Sequence, residues 1–264
     1  MTVVVAVANQ KGGVGKTTTA VNLSAYLALA GRVLLVDLDP QANATSSLGI
    51  DPRTARVSTY EVLIGSAPFR EAIVAGRRED LDVAPASRAL AGAQVELVEL
   101  PDREHRLRQA LGPVRDDYDV VLVDCPPSLG ILTLNALAAA DALLAPVQCE
   151  YLALEGVGQL IETVDLVRAN LNPRLRLLGM LMTMYDPRTK LSLQVVEEVR
   201  RAFPEATFET VIPRSVRLSE APSHGKPVLE YEPTSRGAGA YADLAQELIR
   251  RGLLREAREP HGAR

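Results

Sequence analysis

The run Asn9-Gln10-Lys11-Gly12-Gly13-Val14-Gly15-Lys16-Thr17-Thr18 constrains this chain more than any other stretch. Before it lies Val3-Val4-Val5-Ala6-Val7, a β-branched run that reads as a fully buried strand. After it, residues 19–27 carry apolar positions three and four apart, the spacing of a helix. A glycine-rich turn between strand and helix lets successive N–H groups converge on one anion, and the helix N-terminus adds partial positive charge. Gly12, Gly13, Val14, Gly15, Lys16, Thr17 and Thr18 are therefore candidate nucleotide-binding residues. In that arrangement Lys16 neutralises the β- and γ-phosphates, and the Thr17 hydroxyl ligates Mg2+. The usual pattern has glycine where this chain has Gln10, and the loop carries a second lysine, Lys11. One lysine suffices for a loop's own nucleotide, so Lys11 needs another task.

Lysine is otherwise scarce. Of 29 basic residues only Lys11, Lys16, Lys190 and Lys226 are lysines, which suggests that lysine is kept where a compact point charge is needed. The net charge of −4 argues against whole-chain attraction to nucleic acid, so any such binding must come from a local basic face. No apolar run approaches the ~20 residues of a membrane span. Met1-Thr2 leads directly into the first strand, which leaves no room for a signal peptide. Cys125 and Cys149 each follow an apolar run and are expected as buried free thiols in a reducing compartment, which predicts a cytoplasmic protein.

Hydrophobic periodicity predicts strands at 3–7, 33–36, 81–84, 119–123, 142–147, 175–182 and near 208–212. Helices are expected over 19–27, 129–139, 151–171, 191–203 and 238–254. Residues 40–52, rich in small polar side chains, read as a loop, 55–75 as short helices, and 87–113 as a charged helical stretch. The alternation predicts an α/β fold of P-loop NTPase type: a mainly parallel twisted sheet with helices on both faces. Residues 1–254 are expected to form one domain and 255–264 a short flexible tail. In parallel sheets, sites gather at the C-terminal ends of strands. Asp37, Asp39 and Asp124 all stand there, as does the glycine-rich loop. Asp124 matches a Walker B aspartate that holds Mg2+ through water. Asp39 is the candidate for orienting an attacking water, and Asp37, on the same face two residues earlier, supports Mg2+ or Lys16.

Lys-Gly-Gly-Val-Gly-Lys-Thr resembles the deviant Walker A loop of the ParA/MinD family of ATPases. Val36-Asp37-Leu38-Asp39-Pro40-Gln41, Val123-Asp124-Cys125-Pro126-Pro127-Ser128, Ile212-Pro213-Arg214 and Ala221-Pro222-Ser223-His224-Gly225-Lys226-Pro227 are similar to its chromosomal ParA (Soj) branch. The motifs span about residue 3 to about residue 236. The resemblance implies an ATP-dependent homodimer in which Lys11 reaches the partner subunit's nucleotide. It implies catalytic roles for Lys11, Lys16, Asp39 and Asp124, and an adenine site beside Pro213 and Ser215. Arg188, Lys190, Arg214, Arg217, Lys226 and Arg236 then contact the phosphate backbone of double-stranded DNA without reading sequence. The resemblance further implies hydrolysis of ATP to ADP that is weak alone and stimulated by a ParB-type centromere-binding protein during chromosome or plasmid partitioning, and a location in the cytoplasm at the nucleoid rather than at a membrane. Two positions depart from the family pattern: Ala42 replaces the usual Gly, and Ser215 the usual Asn. If position 42 needs a positive φ, alanine costs about 1 kcal/mol or more.

Two other classes compete. A MinD-like membrane-surface ATPase needs a C-terminal amphipathic helix, and Leu244, Leu248, Ile249, Leu253 and Leu254 form a stripe with Arg250, Arg251 and Arg255 nearby. A helix docked on the sheet makes the same pattern, and the tail beyond 255 has no large apolar residues. An iron–sulfur carrier needs both cysteines for a cluster shared across a dimer, but Cys125 directly follows the Mg2+ aspartate, where a cluster collides with the nucleotide.

Overall fold

The computed structural model describes residues 2–151 and 153–254. Its strands are β1 (Val3–Val7), β2 (Val33–Asp37), β3 (Val74–Ala75), β4 (Leu81–Ala84), β5 (Val120–Asp124), β6 (Ala142–Gln148), β7 (Arg176–Tyr185) and β8 (Thr207–Pro213). They form one sheet in the order β3-β4-β2-β5-β1-β6-β7-β8, parallel except for the β3–β4 pair. The helices are α1 (Lys16–Leu27), α2 (Asn43–Ser47), α3 (Thr59–Ile64), α4 (Leu90–Glu96), α5 (Arg106–Leu111), α6 (Ile131–Ala139), α7 (Ala153–Asn170), α8 (Lys190–Ala202), α9 (Val216–Glu220), α10 (Val228–Tyr231) and α11 (Arg236–Arg250).

Successive strand residues point to opposite faces, so continuous apolar strands demand cover on both. Val4, Ala6, Leu34, Val36, Val121 and Val123 pack on one side with buried residues of α3 to α8, among them Leu63, Leu107, Leu137, Leu160 and Val199. Val5, Val7, Val33, Leu35, Val120 and Leu122 pack on the other with Leu23, Leu27, Tyr241, Leu244 and Leu248 of α1 and α11. Leu253 and Leu254 are buried in that second core, so the described apolar stripe of the last helix is spent inside the molecule. Arg255 and the tail 255–264 lie outside the described residues. No described helix is long and apolar enough to cross a membrane.

Each expected strand is present within a few residues of its reading. The unexpected β3 is two residues long, too short for any periodicity to show. The stretch 40–52, read as a loop, contains α2, whose polar sequence Asn-Ala-Thr-Ser-Ser hides it. The charged stretch 87–113 is broken between α4 and α5, where Asp102 adopts a φ of 51°. The last helix starts at Arg236, where the Ser235 hydroxyl accepts from the Ala238 N–H, and ends at Arg250 rather than 254.

Register brings the chemistry to one edge. Val7 and Asp37 are both partners of Asp124 across β5, so the ends of three strands stand at one level. The chain after β1 leaves towards β2 on one side, and β6 lies on the other, the place where such sheets open a crevice.

Candidate active site

The turn after β1 is curled by Gly13 and Gly15, with φ of 75° and 90°. No side chain caps the N-terminus of α1, so its first N–H groups face the turn unclaimed. Asn9 Nδ2 donates to the Pro146 carbonyl (2.7 Å), and Thr183 Oγ1 to that of Val14 (2.8 Å), bracing the loop from β6 and β7. Gln10, the departure from the usual glycine, donates through Nε2 to Thr163 Oγ1 of α7 (2.8 Å).

The two lysines have opposite settings. Lys16 is buried, and its Nζ arches back to donate to the Lys11 carbonyl (2.9 Å). Burial lowers its pKa, against the pull of Asp124, Cys125 and Asp39. Lys11 is exposed, and its Nζ pairs with Glu150 Oε2 at 2.7 Å. Glu150 Oε1 accepts from Gln148 Nε2. Tyr151, next in sequence to Glu150, is 84% exposed, and Leu154 and Leu129 are also large apolar side chains open to solvent.

Three carboxylates share the strand-end layer. Asp124 is wholly buried, and neither of its oxygens has a hydrogen-bond partner among the described residues. Burial, then the charge of Asp37, holds its carboxyl well above the usual range; the nearby Thr17 hydroxyl opposes this but stops short of a formed bond. Asp37 is also buried, yet both oxygens are used: Oδ1 accepts from the Asp39 N–H (3.0 Å), and Oδ2 from the N–H (2.9 Å) and Oγ1 (2.7 Å) of Thr45. Burial raises it to about 6, with the Thr45 bonds working the other way. Asp39 Oδ1 accepts from the Gln41 N–H (2.9 Å).

These donors fit Mg2+. Two orphaned carboxylate oxygens beside a threonine hydroxyl are hard ligands, and Mg2+ takes few protein ligands, leaving the rest to phosphate and water. Among the described residues no group of three or more His, Cys, Asp or Glu side chains is arranged to hold a metal ion by itself.

A cavity of about 360 Å3 adjoins the loop, lined by Gly15, Thr18, Met184, Pro213, Ser215 and Tyr241 among others. It joins the start of α1 to the turn after β8, which carries Pro213 and Ser215. Met184 there has a φ of 53°, an uncommon conformation for a long side chain. A larger cavity, about 610 Å3 between α3 and α5, contains no loop or strand-end aspartate.

The six basic candidates are all exposed. Arg188 forks onto Asp186 (2.9 and 2.7 Å), and Arg214 adds its charge there. Lys190 opens α8. Arg217 pairs with Glu220 at 2.7 Å. Arg236 opens α11 beside Gly237, which packs on Leu218 of α9. Lys226 follows Gly225, which packs against Gly49 beyond α2.

Residues 2–177 match the AAA domain family. Bacillus subtilis sporulation initiation inhibitor protein Soj is 55% identical over 250 residues, covering 94% of this chain and 99% of its own length. The chromosome-partitioning ATPase Soj of Thermus thermophilus is 56% identical, with 94% and 95% covered. This chain belongs to the ParA/Soj family. A structure of Mycobacterium smegmatis cobyrinic acid a,c-diamide synthase with ADP and magnesium bound is 44% identical, with a TM-score of 0.84 and 96% of each chain covered.

Within this ParA/Soj chain Ala42 has a φ of 52°, so the residue at the family's glycine position does adopt the left-handed conformation. Glu150, Thr45, Thr183 and Met184 escape the sequence reading. A charged residue two places beyond a buried strand was the available signal for Glu150. Thr45 lies in a polar stretch that resembles any loop, and nothing local distinguishes it.

Proposed function

We propose that this ParA/Soj chain, residues 1–254 acting as one domain, is an ATP-driven switch for partitioning DNA. The carrying observation is the contrast between the lysines: Lys16 is buried over its own phosphate site, while Lys11, five residues earlier, is exposed at the rim. A cation so placed serves a neighbour's nucleotide better than its own. Two subunits then meet face to face across two ATP molecules, each Lys11 leaving Glu150 for the partner's phosphates, with Tyr151, Leu154 and Leu129 available for the contact.

Backbone N–H groups from Gly12 to Thr18 and the Lys16 ammonium hold the phosphates, and the cavity at Pro213 and Ser215 receives adenine. Thr17 and Asp124 would hold Mg2+, which neutralises charge on the phosphates when bound. Asp39 orients a water in line with the γ-phosphorus; the new P–O bond forms as the bond to the β–γ bridging oxygen breaks, leaving ADP and phosphate. Pairing doubles the number of basic residues offered to duplex DNA. Because affinity rises steeply with the number of phosphates met, dimerisation acts as the on state and hydrolysis, stimulated by a ParB-type protein, as release.

The test is DNA binding with ATP, ADP and no nucleotide across a salt series. ATP-dependent binding with a steep salt slope is expected. Equal binding in all three conditions would overturn the switch.

A further inference from the structure

We propose that Thr45 is a positioning residue for hydrolysis, holding Asp37 so that Asp37 fixes the backbone of Asp39. The inference rests on the reading that Asp39 orients the attacking water.

Thr45 is wholly buried in α2. Its N–H and its hydroxyl both donate to Asp37 Oδ2, at 2.9 and 2.7 Å. The same hydroxyl oxygen accepts from the Ala86 N–H at 3.0 Å. Its donor is therefore committed to the end of β2, and an acceptor lone pair to the turn after β4. The other oxygen of Asp37 accepts from the Asp39 N–H at 3.0 Å. Asp37 is thus a bracket between Thr45 and Asp39. A further tether, the Thr59 hydroxyl on the Asp37 carbonyl (2.9 Å), fixes the bracket's own backbone.

The other bonds of Asp39 are local to its own turn, where its carbonyl accepts from the Ala42 N–H at 2.8 Å. Its Oδ1 accepts from the Gln41 N–H, inside the same turn. That turn runs into Ala42, whose left-handed backbone works against the conformation. Removing the Thr45 hydroxyl deprives the buried Ala86 N–H of its partner and leaves Asp37 Oδ2 with the Thr45 N–H alone, a single bond about which the carboxylate can pivot. The Asp39 N–H bond rotates with it, and displacement of a water-orienting group by about 1 Å can cost ~100-fold in rate. Substrate binding uses the glycine-rich loop, so it is expected to survive.

The experiment compares steady-state hydrolysis of Mg·ATP by wild type, Thr45→Val, Thr45→Ser and Asp39→Ala, all as full chains, with ATP affinity measured in parallel. Thr45→Val keeps the shape and loses the hydroxyl; its kcat is expected to fall by about ten-fold or more while KM stays within about two-fold. Thr45→Ser keeps the hydroxyl and is expected to restore most of kcat. If Thr45→Val does not fold, Thr45→Cys takes its place, since a thiol is a weak donor and acceptor and is expected to lose rate where serine retains it. Wild-type kcat in Thr45→Val or Thr45→Cys, or a Thr45→Ser loss as deep as theirs, overturns the proposal. Asp39→Ala separates the two failures. If it turns over normally, the role of Asp39 falls and this inference with it; if it is dead while Thr45→Val is normal, only the role of Thr45 falls.

Discussion

The phosphate end of the crevice and the basic face beyond residue 186 are built by different means. At the phosphate end the contributors sit just past the ends of β1, β2 and β5, which register holds at one level. Lys16, Asp37, Asp39 and Asp124 are buried there, and the loop is braced by β6, β7 and α7. On the basic face, exposed side chains project from turns and from the first residues of helices, and two of them already have carboxylate partners. The first region has one geometry available to it, while the second has charge without a fixed shape. Chemistry that needs alignment is expected at the first, and contact that tolerates any register along a polyanion at the second.

Substitutions can break or sharpen this contrast. The largest effect is expected from Lys16→Ala, which removes a buried cation from the phosphate site. Hydrolysis is expected to fall by at least about 100-fold with ATP affinity reduced, as a nucleotide-binding titration and phosphate release would report. A mild effect there would mean that the phosphate end is no more exacting than the surface. Lys11→Ala comes next: ATP binding by the monomer is expected to remain within about three-fold, while the ATP-dependent rise in light scattering and the retention of DNA disappear. Loss of monomer binding instead would make Lys11 a second cis lysine.

The basic face is expected to respond more gently. Arg214→Ala is expected to flatten the slope of log K against log salt by ~0.9 for each DNA phosphate it ceases to neutralise, with hydrolysis in the absence of DNA unchanged. Arg188→Ala is expected to flatten it less, because Asp186 already neutralises that guanidinium. Equal slopes for the two would show that DNA displaces the carboxylate. The smallest effect is expected from Ala42→Gly, which relieves a φ of 52°. Stability is expected to rise by about 1 kcal/mol or less, a few degrees at most in a thermal melt.

The same contrast governs what could be read from residues alone. Residues 3–7 and 120–123 are unbroken apolar runs, and the loop and Asp124 follow them directly, so the phosphate end was legible as a sequence of strand, turn and acid. Even the demand for positive φ at Ala42 could be posed in advance. The base end was less so. Its cavity needs the turn after β8 to meet α1 and α11, which are far apart in sequence. The short helices α9 and α10 have too few turns for a periodic signal. The use of Asp37 was also hidden, because spacing puts it on the same face as Asp39 but cannot reveal that Thr45 occupies one of its oxygens.

The 2.7 Å contact between Lys11 and Glu150 has a further consequence. The bridging charge is already engaged before triphosphate arrives, by an open pair that small ions loosen readily, whereas the same charge enclosed between two subunits is shielded from them. In the proposed dimer, added electrolyte is therefore expected to unfasten the resting molecule sooner than it separates the assembled one. Set against the steady weakening of the grip on duplex, this is expected to make the decline of DNA occupancy with ionic strength somewhat shallower at low salt than at high salt.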